Sequence, residues 1–169
     1  MMDNIGSLDS DLRDKLIYGT LFHWIPNGRL NIDQLKYLLN ISLDSSHLFY
    51  KIHNKDDDSI FKRIFSVLIV ALISYEHRKE KFLSEEVLYQ VKDKLIESML
   101  TERDVRGYVE VKGWVHSAAH TADALDEIVQ CDCFNKTDLL DVLNSIKSKV
   151  WIGYYVYVDE EDERMVTVI

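Results

Sequence analysis

Apolar residues recur at helical spacing along most of this chain. Leu12, Leu16, Ile17, Leu21 and Trp24 share one face of a helix predicted over about Asp9 to Ile25, and Pro26-Asn27-Gly28 ends it with a turn. A second helix near Ile32 to Ser42 carries Leu35, Leu38 and Leu39, and a short third, Ser46 to Ile52, carries Leu48, Phe49 and Ile52. After the polar break at Asn54 to Ser59 comes Ser59 to His77, apolar nearly all round in its middle. That pattern predicts a central helix covered on both faces. Ser84-Glu85-Glu86 supplies a capping serine and first-turn acids for a helix running to Thr101. Two more helices are expected, one from Trp114 to Gln130 and one capped by Asn135 or Thr137 that runs through Leu139, Leu140, Leu143 and Ile146.

The last stretch conflicts with itself. Val150 to Val158 is valine- and tyrosine-rich, which local propensity reads as strand. A lone strand has no partner in a helical protein, so this stretch is expected to continue the preceding helix. An acidic run, Asp159 to Glu163, reads as a solvated loop, and Met165 to Ile169 reads as a final helix cut short.

Several helices open alike. An acid stands close before Arg13, Arg63, Arg106 and Arg164, and these arginines lie roughly 40 to 60 residues apart, near the period of HEAT-type helix pairs. The expected fold is therefore all-α, a HEAT-like helical repeat forming a short α-solenoid, with residues 1–169 as a single domain. Such layers often bind a partner on their concave side. The tryptophans Trp24, Trp114 and Trp151 are expected in the core.

Composition narrows the function classes. The formal net charge is −9, with 29 acidic and 20 basic side chains, and no basic stripe is interleaved with aromatics. Such a chain repels phosphate backbones, so no nucleic-acid partner is expected. The longest apolar stretch, Ile64 to Ile73, is half of what a bilayer requires, so no membrane span is expected. Met1 to Ser10 lacks a basic segment followed by an apolar one, and Cys131 and Cys133 stand too close for a good disulfide. Both features point to a cytoplasmic protein with reduced thiols.

One segment carries candidate chemistry. On a helix from Trp114, His116, His120, Asp123 and Glu127 fall on one face. Two histidines at i and i+4 with a carboxylate one turn on can hold a divalent metal, or act as a general base with its orienting acid. The same side chains can equally fix packing against a neighbouring helix or form a binding surface. Candidate binding residues are Arg106, Tyr108, Lys112, Trp114, His116, His120, Asp123 and Glu127; the candidate metal set is His116, His120 and Asp123.

At this segment the sequence resembles the bacterial family called domain of unknown function 2785. The resemblance rests on Asp104-Val105-Arg106-Gly107-Tyr108, Lys112-Gly113-Trp114-Val115-His116 and Ala119-His120-Thr121-Ala122-Asp123. It is supported by Asp11-Leu12-Arg13-Asp14, by His47 to Ile52 and by Ser59 to Ser66. It implies a helical, HEAT-like fold and no assigned activity. The function expected is a protein-binding module using the face around His116, His120 and Asp123. The alternative is a metal-dependent enzyme at the same residues, and a HEAT-type nucleic-acid enzyme ranks below both.

Overall fold

A computed structural model describes residues 1–167. Its helices are α1 (Gly19–Trp24), α2 (Ile32–Ser42), α3 (Ile60–Lys79), α4 (Glu85–Thr101), α5 (Ser117–Val129), α6 (Lys136–Val150) and α7 (Glu161–Val166). A short antiparallel hairpin, β1 (Tyr108–Val109) with β2 (Gly113–Trp114), pairs Tyr108 with Trp114 and Val109 with Gly113. The molecule is mostly helical. None of these helices is long and apolar enough to cross a membrane.

The element starts follow local chemistry. Asn31 accepts from the Gln34 N–H while the Gln34 side chain accepts from the Asn31 N–H, a reciprocal cap that fixes the start of α2. Ser84 caps α4 by accepting from the Val87 N–H. Asn135 caps α6, with Asp138 returning the bond.

α3 is the central element. Phe61, Ile64, Phe65, Val67, Ile69, Val70 and Ile73 are all buried, since α1, α2 and α5 cover it from several sides. α5 then packs on α4, α6 and α7. Buried apolar residues from Met2 to Met165 form one cluster. Gly6 lies where α3 comes closest: a Cβ there would meet the Lys62 Cβ at 2.5 Å.

Several expectations change. The first helix runs from Asp11 as a π-helical stretch, Asp11–Tyr18, that feeds α1. Its wider turns keep Arg13, Ile17, Leu21 and Ile25, spaced by four, buried together, whereas Leu16 and Trp24 turn outward. Ser46 to Ile52 is a series of turns rather than a helix, tied down by His47, which bonds Asp44 and the Met2 carbonyl. Val150 to Val158 does not continue α6; the helix ends at Val150. The tryptophans are not core residues, for Trp24, Trp114 and Trp151 are all exposed. The acidic run is not wholly a solvated loop: Glu161 is buried and opens α7. A final short helix is present as α7, and the end of that expectation, Val168 and Ile169, lies outside the described residues.

The four arginines share a role as ion-pair centres. Arg13, fully buried, pairs with Asp14 and lies 4.2 Å over the Phe61 ring. Arg63, equally buried, bonds Glu102 across 39 positions of chain. Arg106 pairs with the buried Asp104, and Arg164 with Asp123. Arg63 and Arg164 reach acids of other elements; Arg13 pairs locally, and Arg106 pairs with Asp104 and also approaches Asp56 at 4.0 Å.

Candidate functional site

The site is built on the hairpin and the start of α5. Asp104 is buried and grips Arg106 through both oxygens, Nε to Oδ1 at 2.9 Å and a terminal nitrogen to Oδ2 at 2.6 Å. This fixes the chain entering β1. The ladder extends past the hairpin's base, with the Val115 N–H donating to the Gly107 carbonyl at 2.8 Å and the His116 N–H to the Arg106 carbonyl at 3.2 Å. At the tip the Lys112 N–H closes on the Val109 carbonyl at 3.0 Å. Val111 there has φ 68°. A β-branched residue in the left-handed region is strained, at a cost of about 1–3 kcal/mol, and persists only where the surroundings hold it. The holders are visible. Arg13 donates to the Lys112 carbonyl at 2.6 Å, and the Lys112 ammonium pairs with Asp58 at 2.7 Å.

His116 is where the helical reading of the segment fails. It sits at φ 47°, ψ 43°, just before α5 begins, so the expected helix starts three residues late and Trp114 belongs to β2. His116 therefore leaves the helical stripe, although its ring still approaches His120 edge-on at 5.9 Å. Its other face stacks on Trp114 at 4.6 Å with the planes within 8°. Tyr108 packs against the same indole at 4.9 Å.

The imidazoles are held from α7. Nδ1 of His116 donates to Oε1 of buried Glu161 at 3.1 Å, and Oε2 of Glu161 accepts from the Asp159 N–H at 3.1 Å. Nδ1 of His120 lies 3.0 Å from the Arg164 guanidinium, which also bonds Asp123. A guanidinium only donates, so His120 Nδ1 accepts and its proton sits on Nε2. Gly107 permits this closure, because a Cβ there would run into the carboxylates of Asp159 and Glu161.

Burial dominates the electrostatics of this cluster. Burial pushes the His120 pKa down, and the neighbouring Arg164 and His116 add to the effect against the pull of Asp123. For Asp123 burial works upward, but the neighbouring His120 and the Arg164 guanidinium outweigh it and hold the carboxyl below its usual range. A histidine with a depressed folded pKa takes up a proton more readily when unfolded. Its contribution to stability is intact above about 6.5, the usual histidine value, and is lost as pH falls from there to the folded value. The His120 imidazole is accordingly expected to titrate below free histidine by NMR. His120→Gln should also flatten the fall in Tm on acidification through this window. An unshifted midpoint would contradict the packing described.

The predicted residues thus divide. Arg106, Tyr108, Lys112, Trp114, His116, His120 and Asp123 gather around the hairpin and the start of α5. Glu127 does not join them: it pairs with Arg78 of α3, and burial raises its pKa. Asp123 and Glu127 both border a groove of about 640 Å3 lined by Phe22, Leu72 and Tyr75, which neither histidine lines. Sequence reasoning missed Glu161 as a site residue, since nothing local separates one buried acid from its exposed neighbours. Arg164 was visible as one of the recurring arginines, but its partners were not.

His116 with Glu161 has the form of an oriented imidazole, with Nε2 making no hydrogen bond among the described residues. No group of three or more His, Cys, Asp or Glu side chains among those residues is arranged to hold a metal ion. The atoms of His120 and Asp123 that would face such an ion take Arg164 instead.

Fold and site together define a mostly helical protein with one small hairpin braced by ion pairs. Residues 48–169 match the family described as protein of unknown function (DUF2785), and the chain belongs to that family. Neither a curated protein nor a solved structure matches it.

Proposed function

We propose that this chain is a protein-binding module of layered helical-repeat character, docking its partner through the hairpin and the cluster beneath it. The observation that carries this reading is a hairpin, held by Arg13 and Asp58, that presents Tyr108, Val111 and Trp114 at 53%, 85% and 47% exposure. Tyrosine and tryptophan anchors dominate protein interfaces, and a pre-ordered anchor loses little entropy on binding. Arg13, Asp58, Asp104 and Glu161 hold that hairpin from below. The imidazoles, with 12% and 17% of their side chains exposed, act here as supports more than as contacts. The packing of α5 on α3, α4 and α6 supports the layered reading. A cytoplasmic setting belongs to the same reading, supported by the free thiols of Cys131 and Cys133.

A photo-crosslinking residue at position 111, in cells that naturally make the protein, is expected to yield one discrete adduct. A crosslinker at Glu97, exposed on α4, should not yield it. Tyr108→Ala is expected to weaken that partner by about 2 kcal/mol, roughly thirtyfold. No adduct at 111, or the same ladder of products from both positions, would contradict the reading.

One observation favours a second reading, catalysis. Glu161 orients His116 so that Nε2 is free to take a proton, the arrangement of a general base. Its metal-dependent form at His116, His120 and Asp123 requires Arg164 to leave.

A further inference from the structure

The segment between α6 and α7 has strand composition but no sheet. Val150 to Val158 carries no charged residue and no proline, and is mostly valine, tyrosine and tryptophan. Stretches of this kind pair readily into sheets. Val150 still belongs to α6 and Gly153–Tyr154 form a turn; from Tyr154 to Val158 the exposure alternates. Tyr154, Val156 and Val158 face outward at 53%, 78% and 74%, while Tyr155 and Tyr157 turn inward. A period of two is the signature of a strand with one face on the protein. Yet among the described residues, 152–158 make no backbone–backbone hydrogen bond.

The inward tyrosines hold this segment in place. The Tyr157 hydroxyl donates to the Lys149 carbonyl at 2.8 Å, and the Tyr155 hydroxyl accepts from the Gly107 N–H at 3.4 Å. The two rings lie 5.6 Å apart, inclined at 68°. β1 and β2 pair only with each other, so they do not use the segment's edge. What remains is a pre-ordered, uncharged row of backbone donors and acceptors beside exposed apolar side chains. Such an edge is a template for another strand.

We infer that this segment is a β-strand completed by the same segment of a second copy of the chain, paired antiparallel about a two-fold axis. The distribution of charge selects both the partner and the direction. Lys147 at the end of α6, and Lys55 with its ammonium 5.5 Å above the Tyr154 ring, are exposed on one side. Glu160, Asp162 and Glu163 are exposed at the other end. Antiparallel pairing sets the acidic end of one copy beside the basic end of the other. Parallel pairing would stack acid on acid. A segment paired antiparallel with itself about a two-fold axis makes an isologous contact, the same edge on both copies, and that contact is complete with two copies. The outward side chains of the two copies then stand side by side as cross-strand neighbours, which shields part of each valine from solvent.

The inference is independent of the hairpin reading, and its test separates them. Sedimentation velocity of the full chain, from micromolar upward, is expected to show a monomer–dimer equilibrium. Val156→Pro removes an N–H from the proposed ladder and should abolish the dimer, with the far-UV spectrum and Tm of the monomer kept. Val111→Asp on the hairpin should leave the dimer intact. If Val156→Pro does not fold, Val156→Lys at the same exposed position puts a charge into the apolar row of each copy and should also give monomer. A wild type that stays monomeric at every concentration would overturn the inference. So would a folded Val156→Pro or Val156→Lys that still dimerises, a dimer lost only on Val111→Asp, or open-ended association in place of a closed pair.

Discussion

Glu102→Ala is expected to destabilise the protein by about 3–5 kcal/mol, because it strands a buried guanidinium. Arg63 is 1% exposed and donates to Glu102 through Nε at 2.6 Å and a terminal nitrogen at 3.1 Å. The same carboxylate accepts the N–H groups of Arg103 and Asp104 at 2.9 Å each, so it also shapes the turn leading to the hairpin. Burial lifts the Glu102 carboxyl above its usual range, against the pull of Arg63. That opposition is why removing one partner costs more than removing both. In a chain of this size about 2–4 °C of Tm accompanies each kcal/mol, so a fall of roughly 6–20 °C is expected. The double variant Arg63→Met with Glu102→Leu should recover much of it. A single variant that melts like wild type would show that Arg63 finds an equivalent acceptor.

Gly107→Ala is the second large effect. The added Cβ would overlap the carboxylates of Asp159 and Glu161, so both carboxylates must shift to admit it. Overpacking of this kind costs about 1–3 kcal/mol. Here it falls on the contact that joins α7 to the hairpin. Glu161 should leave His116, and with it α7 should lift off and expose Met165, now fully buried. Hydrogen exchange across 159–166 is expected to quicken while α3 and α4 keep their protection. Uniform exchange like that of wild type would show that the two segments separate at no cost.

Most helices were legible because their causes are local. α2 and α4 begin where Asn31 and Ser84 cap them and carry their apolar stripes within one window. The family was legible for the same reason, from short runs around Arg106, Trp114 and His120. The site was only half legible. Tyr108, Trp114, His116, His120 and Asp123 were named, but the start of α5 was misplaced because His116 has a left-handed backbone, and its ring is held by Glu161, 45 residues away. The hairpin was missed because its tip places valine where turn chemistry favours glycine or asparagine. Strand propensity at Val150 to Val158 was outweighed by the absence of a partner, whereas the structure holds that segment out of helix by its inward tyrosines. Trp24, Trp114 and Trp151 were expected inside on hydrophobicity alone, yet all three are exposed, Trp114 with the rings of Tyr108 and His116 against it.

α7 closes over the histidine cluster, and under the proposed function that cluster braces the hairpin with Arg164 standing where a metal ion would. The most direct measurement is 15N NMR of the imidazoles during a zinc titration of the untagged chain. The expected result is His116 protonated on Nδ1, His120 on Nε2, and neither resonance set moving at one equivalent. Stoichiometric shifts of both imidazoles, with Arg164 released from Asp123, would contradict the account and make the stripe a metal site.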